Sequence, residues 1–156
     1  EPMTTSAVKT AKVWLRLTLA RDLQHENQCP RATVKATTYS NSGVLVGFGV
    51  NTLHKSFNGC SCNDGVDTNK KGSTTCKSVH AELAALIDTW SKGILQEEVI
   101  AIAVTRPPCR ICCATLLETS IQTIITTDEF EDRDGSKEVW EKAEGTWITL
   151  NKEEEL

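Results

Sequence analysis

The sequence predicts an α/β fold: a three-layer α-β-α sandwich around a central five-stranded mixed sheet. The length of 156 residues suits one hydrophobic core. A β-hairpin pattern occurs early in the chain, and helical and extended patterns then alternate, which favours a mostly parallel sheet between layers of helices. No internal repeat or low-complexity linker divides the chain. We therefore expect a single domain over residues 1–156.

The first half of the chain predicts one helix followed by the hairpin. Apolar residues recur at helical spacing over residues 7–24, and Ser6 is the expected N-cap. Residues 34–40 and 44–50 are rich in β-formers and flank an Asn-Ser-Gly turn, which predicts two paired strands. Residues 51–77 show no periodicity, so we expect a loop of about 25 residues, a length that usually serves a function.

The second half predicts alternating helices and strands. A helix is expected over residues 78–92, with its apolar face formed by Val79, Leu83, Leu86, Ile87 and Trp90. The continuous apolar run 99–104 is typical of a strand covered on both sides, and two prolines end it. The remaining expected elements are a helix over 109–119, a strand over 121–127, a helix over 135–143 and a strand over 146–150.

Composition and charge argue against several classes of protein. No apolar run approaches the roughly 18 residues of a membrane span. The first six residues lack the apolar core of a signal peptide, so we expect a cytoplasmic protein with no membrane partner. The formal net charge of −4 provides no bulk positive field for nucleic-acid phosphates. Nucleic acid is therefore not an expected partner.

The seven cysteines favour metal binding over disulfide formation. Their number is odd, no export signal is visible, and several form Cys-x-Cys or Cys-x-x-Cys pairs. They are Cys29, Cys60, Cys62, Cys76, Cys109, Cys112 and Cys113. Cys113 directly follows a candidate ligand, and we interpret it as a small buried core residue.

One group of residues has the chemistry of a catalytic zinc site. His80, Cys109 and Cys112 lie at expected helix starts and offer one nitrogen and two sulfurs, which leaves the fourth tetrahedral position for water. Zn²⁺ in such a site lowers the pKa of its bound water toward 7. Glu82, two residues after the histidine, is placed to move protons between that water and a substrate. The pattern predicts a hydrolytic deaminase, whereas a closed structural zinc site is the simpler alternative.

The chain resembles the zinc-dependent cytidine/deoxycytidylate deaminase superfamily, and within it the deoxycytidylate (dCMP) deaminases most of all. The order His-x-Glu followed by Pro-Cys-x-x-Cys is the known signature of zinc deaminases. Further similar segments occur in order along nearly the whole chain, at residues 34–36, 47–51, 76–83, 105–112 and 128–147.

This resemblance implies hydrolysis of dCMP to dUMP and ammonia, in which hydroxide attacks ring atom C4. By position, His80, Cys109 and Cys112 hold the zinc, and Glu82 shuttles protons. The resemblance also implies a homo-oligomer, with a hexamer expected, and dCTP and dTTP as allosteric effectors. A second, structural zinc is expected at Cys29, Cys60, Cys62 and Cys76, which would hold the long loop in place.

Three further residues are candidates for substrate binding. Asn51 matches an asparagine of the family that binds sugar or base, although a turn role is common for this residue. Phe130 matches an aromatic residue that could stack on the pyrimidine, and a loop-anchoring role is equally open. Arg106 follows the third strand, where its planar fork suits a phosphate, while solvent exposure is the ordinary alternative. Lys35 replaces a family glycine and is expected to alter the pocket floor or an effector site.

Two other functions remain open from the sequence. The chain could be a related deaminase whose substrate is a 5-substituted dCMP, dCTP or another nucleobase. The sequence does not identify the residues that would distinguish these substrates. Alternatively, the chain could be a non-catalytic, zinc-stabilised binding module. Glu82 argues against the module, since a structural site does not need an unligated carboxylate beside the metal.

Overall fold

Five strands form one mixed sheet in the computed structural model, which describes residues 4–21, 33–53 and 78–152. The strands are β1 (Lys35–Ser40), β2 (Leu45–Val50), β3 (Val99–Val104), β4 (Thr123–Thr127) and β5 (Thr146–Leu150). Their order across the sheet is β2-β1-β3-β4-β5. β1 pairs antiparallel with both β2 and β3, whereas the pairs β3-β4 and β4-β5 are parallel. The five-stranded mixed sheet is confirmed, with equal numbers of parallel and antiparallel pairs.

Helices cover both faces of this sheet. They are α1 (Thr5–Ala20), α2 (Ala81–Ser91), α3 (Arg110–Leu117) and α4 (Ser136–Lys142). α1 packs on one face through Ala11 and Leu15, which join a core with Tyr39 and Ile125. The other three helices contribute to a separate core on the opposite face. The predicted three-layer α-β-α sandwich is therefore confirmed. None of the helices in the described ranges has the length and apolar character required to cross a membrane.

The predicted boundaries of α1 are wrong at both ends. Its N-cap is Thr4 and not Ser6, because the Thr4 hydroxyl accepts a hydrogen bond from the backbone N–H of Ala7 at 3.1 Å. The helix ends at Ala20, where Arg21 takes an extended backbone conformation. The apolar pattern that anchors the helix to the sheet also stops at Leu19. Residues 22–24 of the predicted helix lie outside the described residues.

The predicted apolar face of α2 is right for Leu86, which is buried, and for Leu83, which packs against the core, but wrong for Ile87 and Trp90. The last two side chains are 57% and 44% exposed. The buried residues of this helix are Ala81, Glu82, Ala85, Leu86 and Thr89. α2 lies directly on β2: a Cβ atom added at Gly49 would overlap the backbone nitrogen of Ala85. The closest contact with the strand is therefore made at the small residues Ala81 and Ala85.

Helix α2 begins three residues later than predicted, because the residues before it pair with another segment. Thr52 and Val79 form an antiparallel bridge in which each backbone N–H donates to the other carbonyl, at 3.0 and 2.7 Å. His80 is consequently the N-cap of α2. Most of the predicted long loop lies outside the described residues. The bridge joins Thr52, near the start of this loop, to Val79, which follows it.

The other boundaries agree with the predictions to within two residues. β3 and β5 have the predicted bounds, and β1 and β2 each begin one residue later than expected. α3 and α4 lack the first predicted residue, which serves instead as the N-cap of each helix. β4 begins at Thr123, two residues after the predicted start.

We expect Gly49→Ala to destabilise the fold strongly, because its methyl group must displace the backbone of α2. Overpacking of this kind costs about 3 kcal/mol. Gly43→Ala is the matched control: it also has to place a side chain on a former glycine, but its Cβ would be 4.0 Å from the nearest atom, in Trp14. Because Gly43 has a positive φ, an alanine at this position is strained, and we expect it to cost about 1–2 kcal/mol. Equal losses in thermal unfolding would contradict the proposed role of the close approach.

Candidate metal centre

Two helix starts bring three metal-binding side chains together at one edge of the sheet. His80 is the N-cap of α2 and Cys109 is the N-cap of α3, while Cys112 is buried in the first turns of α3. The Nδ1 atom of His80 lies 3.2 Å from the Cys112 sulfur and 3.4 Å from the Cys109 sulfur. All three ligand atoms lie within 4.8 Å of one another. The structure therefore brings together the three residues that the sequence indicated as zinc ligands.

The spacing of these atoms fits a tetrahedral zinc ion. Zn–N and Zn–S bonds of the usual length would separate a nitrogen and a sulfur ligand by about 3.5 Å. The two observed separations are close to this value. One imidazole and two thiol groups also form a donor set that Zn²⁺ prefers. The residues present therefore fit the metal.

The pKa values of the two thiol groups are shifted in opposite directions. The pKa of Cys109 is lowered to about 4, mainly by the hydrogen bond from the Cys112 thiol, while burial opposes this shift. The pKa of Cys112 is raised, mainly because its thiol is the donor in that bond and further because it is buried. The backbone N–H of Cys112 also donates to the Cys109 sulfur at 3.5 Å. The helix start thus favours thiolate at Cys109, as metal binding requires.

Glu82 is a buried carboxyl group beside this donor set. It lies in the first turn of α2 and is only 4% exposed. Burial raises its pKa, and a hydrogen bond from a backbone N–H partly offsets this effect. A carboxyl group with a raised pKa gains and loses its proton at a pH closer to neutral than an exposed carboxyl group does. Such a group next to a metal site is suited to proton transfer.

Asn51 lies at the end of β2 and is bonded to the start of the hairpin. Its side-chain oxygen accepts a hydrogen bond from the Val34 N–H at 2.9 Å, and its own N–H donates to the Val34 carbonyl at 3.3 Å. The residue is buried. The side-chain oxygen thus joins the end of β2 to the backbone just before β1.

Arg106 and Phe130 contact each other. The guanidinium carbon of Arg106 lies over the ring of Phe130, 4.8 Å from its centroid. Phe130 is 43% exposed, so the ring is covered on one side and remains partly open to solvent. The sequence indicated each residue separately as a candidate for substrate binding. It gave no sign that the two side chains stack on each other.

Two aspartates that the sequence analysis missed secure the region around the metal centre. The Asp134 carboxylate accepts a hydrogen bond from the N–H of Arg110, the first residue of α3, at 2.9 Å. Asp132 accepts from the N–H groups of Ser136 and Lys137 at 3.0 and 2.9 Å, and so caps α4. An aspartate shortly before a helix is a recognisable capping signal. Asp134 instead bonds to the start of α3, 24 positions earlier in the chain, and no local sequence pattern indicates such a contact.

The remaining candidates lie outside the site or outside the described residues. Lys35 donates through Nζ to the Leu19 carbonyl of α1 at 3.3 Å. Its expected effect on the pocket floor or on an effector site stays a prediction. Cys113 is buried, as predicted, and its thiol contacts the carbonyl of Ser136. The proposed ligands of a second zinc lie outside the described residues: Cys29, Cys60, Cys62 and Cys76.

Comparison with known proteins gives one family match and several structural similarities. The model of the family described as "Cytidine and deoxycytidylate deaminase zinc-binding region" matches residues 9–127. ComE operon protein 2 of Bacillus subtilis (strain 168) is 25% identical over 120 residues, which are 74% of this chain. The matched region spans 58% of the length of that relative.

Among solved structures, the dCMP deaminase of cyanophage S-TIM5 in complex with dCMP and dUMP has a TM-score of 0.63 at 19% identity. The alignment covers 96% of this chain and 100% of the phage chain. A diaminohydroxyphosphoribosylaminopyrimidine deaminase/5-amino-6-(5-phosphoribosylamino)uracil reductase of Thermotoga maritima has a TM-score of 0.62 at 16% identity, over 92% of this chain and 37% of that one. At these identities the similarities establish a shared fold.

We expect Cys109→Ser and Cys112→Ser each to remove one zinc ion per chain, because either change leaves only two of the three ligands. Cys113→Ser is the matched control: its thiol is also buried in α3 but packs against Ser136. The measurement is the zinc content of purified protein by elemental mass spectrometry. Loss of zinc in the Cys113 variant, or its full retention in the other two, would contradict the assignment.

Proposed function

The chain belongs to the cytidine and deoxycytidylate deaminase zinc-binding family, and from this premise we propose that it hydrolyses dCMP to dUMP and ammonia. Family membership supports a zinc-dependent deaminase. The observation that carries the catalytic proposal is the buried carboxyl group of Glu82 beside the His80, Cys109 and Cys112 donor set. A purely structural metal site has no use for such a group. The fold shared with the phage dCMP deaminase supports the choice of substrate.

His80, Cys109 and Cys112 are the proposed zinc ligands, and Glu82 is the proposed proton carrier. Bound Zn²⁺ supplies Lewis acidity that makes water a nucleophile at neutral pH. Glu82 accepts a proton from this water while the water oxygen bonds to C4 of the cytosine ring. Glu82 then donates that proton to ring atom N3. Glu82 then takes the second proton from the hydroxyl group now attached to C4 and gives it to the exocyclic amino group, so that the C4=O bond forms, the C4–N bond breaks and ammonia leaves.

Arg106 is the proposed phosphate ligand of this reaction. It follows the end of β3 and precedes Cys109 by three residues, a separation of at most about 11 Å along the chain. The planar guanidinium can bind two phosphate oxygens at once. The ion pairs found between described residues join Lys92 to Asp88, Lys142 to Glu138 and Lys152 to Glu129, and none of them includes Arg106.

Assembly and regulation complete the proposal. The resemblance implies a homohexamer with dCTP and dTTP as effectors and a structural zinc at the four cysteines outside the described residues. The exposed apolar side chains of α2, Ile87 and Trp90, support self-association, because exposed apolar residues that lie together commonly mark interfaces. Asn51 is proposed to contact the sugar or the base of the substrate.

We expect selective deamination of dCMP in a panel that also contains 5-methyl-dCMP, dCTP, deoxycytidine, cytosine and guanine. The change in ultraviolet absorbance on loss of the amino group measures each reaction. Faster turnover of a 5-substituted nucleotide or of dCTP would replace the proposed substrate and keep the chemistry. If zinc-loaded protein converts none of these compounds, the catalytic proposal fails and a binding module takes its place.

Glu82→Gln is expected to lower kcat for dCMP by a factor of about 10²–10⁴, which is the usual contribution of a positioned acid-base group. The amide keeps the shape of the side chain but cannot carry the proton. Zinc content and thermal unfolding are expected to stay close to wild type, because Glu82 is not a metal ligand. Wild-type turnover by a zinc-loaded, folded variant would exclude the proposed role of Glu82.

Light scattering after size exclusion is expected to report a homo-oligomer. Trp90→Glu is expected to reduce its mass, because the indole is partly exposed and a carboxylate would be buried in any interface formed there. Val139→Glu, which changes the charge by the same amount at an exposed apolar residue of α4, serves as the matched control. A monomeric wild-type protein, unchanged by dCTP or dTTP, would refute the assembly and leave the chemistry untouched.

A further inference from the structure

We propose that Phe130 is a positioning residue that orients the Arg106 guanidinium toward the substrate's phosphate, and that it does not stack on the pyrimidine ring. The inference rests on the proposed function, because it assigns the side chain that prepares the phosphate site. It replaces the separate roles that the sequence indicated for the two residues. The observation that carries it is the stacking of Arg106 on Phe130, with 4.8 Å between the guanidinium carbon and the ring centroid.

The contact restrains the guanidinium over the ring. A cation–π contact does not require a hydrogen bond from the guanidinium, so its five N–H groups stay available to an anion. These are the donors that bind a phosphate in a bidentate manner. A flexible arginine loses side-chain entropy when it binds a ligand, and an arginine already held against a ring loses less. The contact therefore prepares Arg106 for an anion.

The same contact limits what the ring can do. Phe130 is 43% exposed, and the guanidinium already covers part of one face. A pyrimidine stacked on that face would have to displace Arg106, which would separate the ring from the cation and leave the phosphate ligand without its support. That face of the ring can contact either the base or the guanidinium, and in the structure it contacts the guanidinium.

Both residues are held at the edge of the sheet that carries the metal centre. Arg106 follows β3 and Phe130 follows β4, and these neighbouring strands are parallel. The Thr127 hydroxyl donates to the Thr105 carbonyl at 3.3 Å and joins the two strand ends directly before the stacked pair. On the other side, Asp134 bonds to the start of α3. The stacked pair is thus braced from both directions.

The test compares substrates with and without a phosphate. In Phe130→Leu, kcat/KM for dCMP is expected to fall by about tenfold, the value of one well-placed bond to a charged group. For deoxycytidine, which lacks the phosphate, kcat/KM is expected to change less than about twofold on the same reasoning. Phe130→Trp keeps an aromatic face and is expected to retain most of the activity on dCMP. Val44→Ala, an exposed apolar residue of the hairpin, is the control for a nonspecific effect.

A double-mutant cycle separates the two roles further. If Phe130 acts through Arg106, adding Phe130→Leu to Arg106→Ala produces little further loss with dCMP, so the two effects are not additive. Equal losses for dCMP and deoxycytidine in Phe130→Leu, together with additive effects in the cycle, would overturn the inference in favour of stacking on the base.

A binding measurement keeps the inference testable when turnover is too slow to compare. Calorimetric titration with 2-deoxyribose 5-phosphate, which has the sugar and phosphate but no base, is expected to show affinity about fivefold weaker for Phe130→Leu than for wild type. Unchanged affinity would overturn the role of Phe130. Absence of dCMP turnover by the wild-type protein, with this difference in affinity intact, would overturn the proposed substrate alone.

Discussion

The close approach of α2 to β2 is the constraint on which the site depends. Gly47 and Gly49 leave room for the helix backbone itself, so that Ala85 lies directly on the strand. The buried face of α2 has the small residues Ala81, Ala85 and Thr89 together with Leu86, and it also includes Glu82. The constraint thus buries a carboxyl group at the start of the helix. It also fixes His80 at the edge of the sheet, where α3 provides the two cysteines.

The sequence predicted the fold class and the metal centre well because both depend on local signals. Alternating patterns located the strands, and the spacing of Cys109 and Cys112 within one helical turn required both thiols to lie on one side. The buried face of α2 could not be predicted in this way. Its hydrophobic pattern indicated Ile87 and Trp90, but the face is selected by the volume left above two glycines on another element. Apolar periodicity measures hydrophobicity and is insensitive to that distance.

Long-range contacts of polar side chains were also beyond the sequence analysis. Arg106 and Phe130 are 24 positions apart, as are Arg110 and Asp134. Both pairs form because parallel β3 and β4 direct the segments that follow them to the same edge of the sheet. The family resemblance supplied a role for single positions. The structure adds the contacts between positions, such as that of Arg106 with Phe130 and that of Arg110 with Asp134.

The bridge between Thr52 and Val79 has a consequence for how such proteins diversify. It brings the chain back to the start of α2 through two paired backbone hydrogen bonds, whatever lies between these residues. Closing a longer loop adds only about 0.6 kcal/mol for each doubling of its length. Insertions and deletions between the bridge partners can therefore accumulate without moving His80. In evolution and in protein engineering alike, this position is a natural point for grafting new segments beside the metal centre.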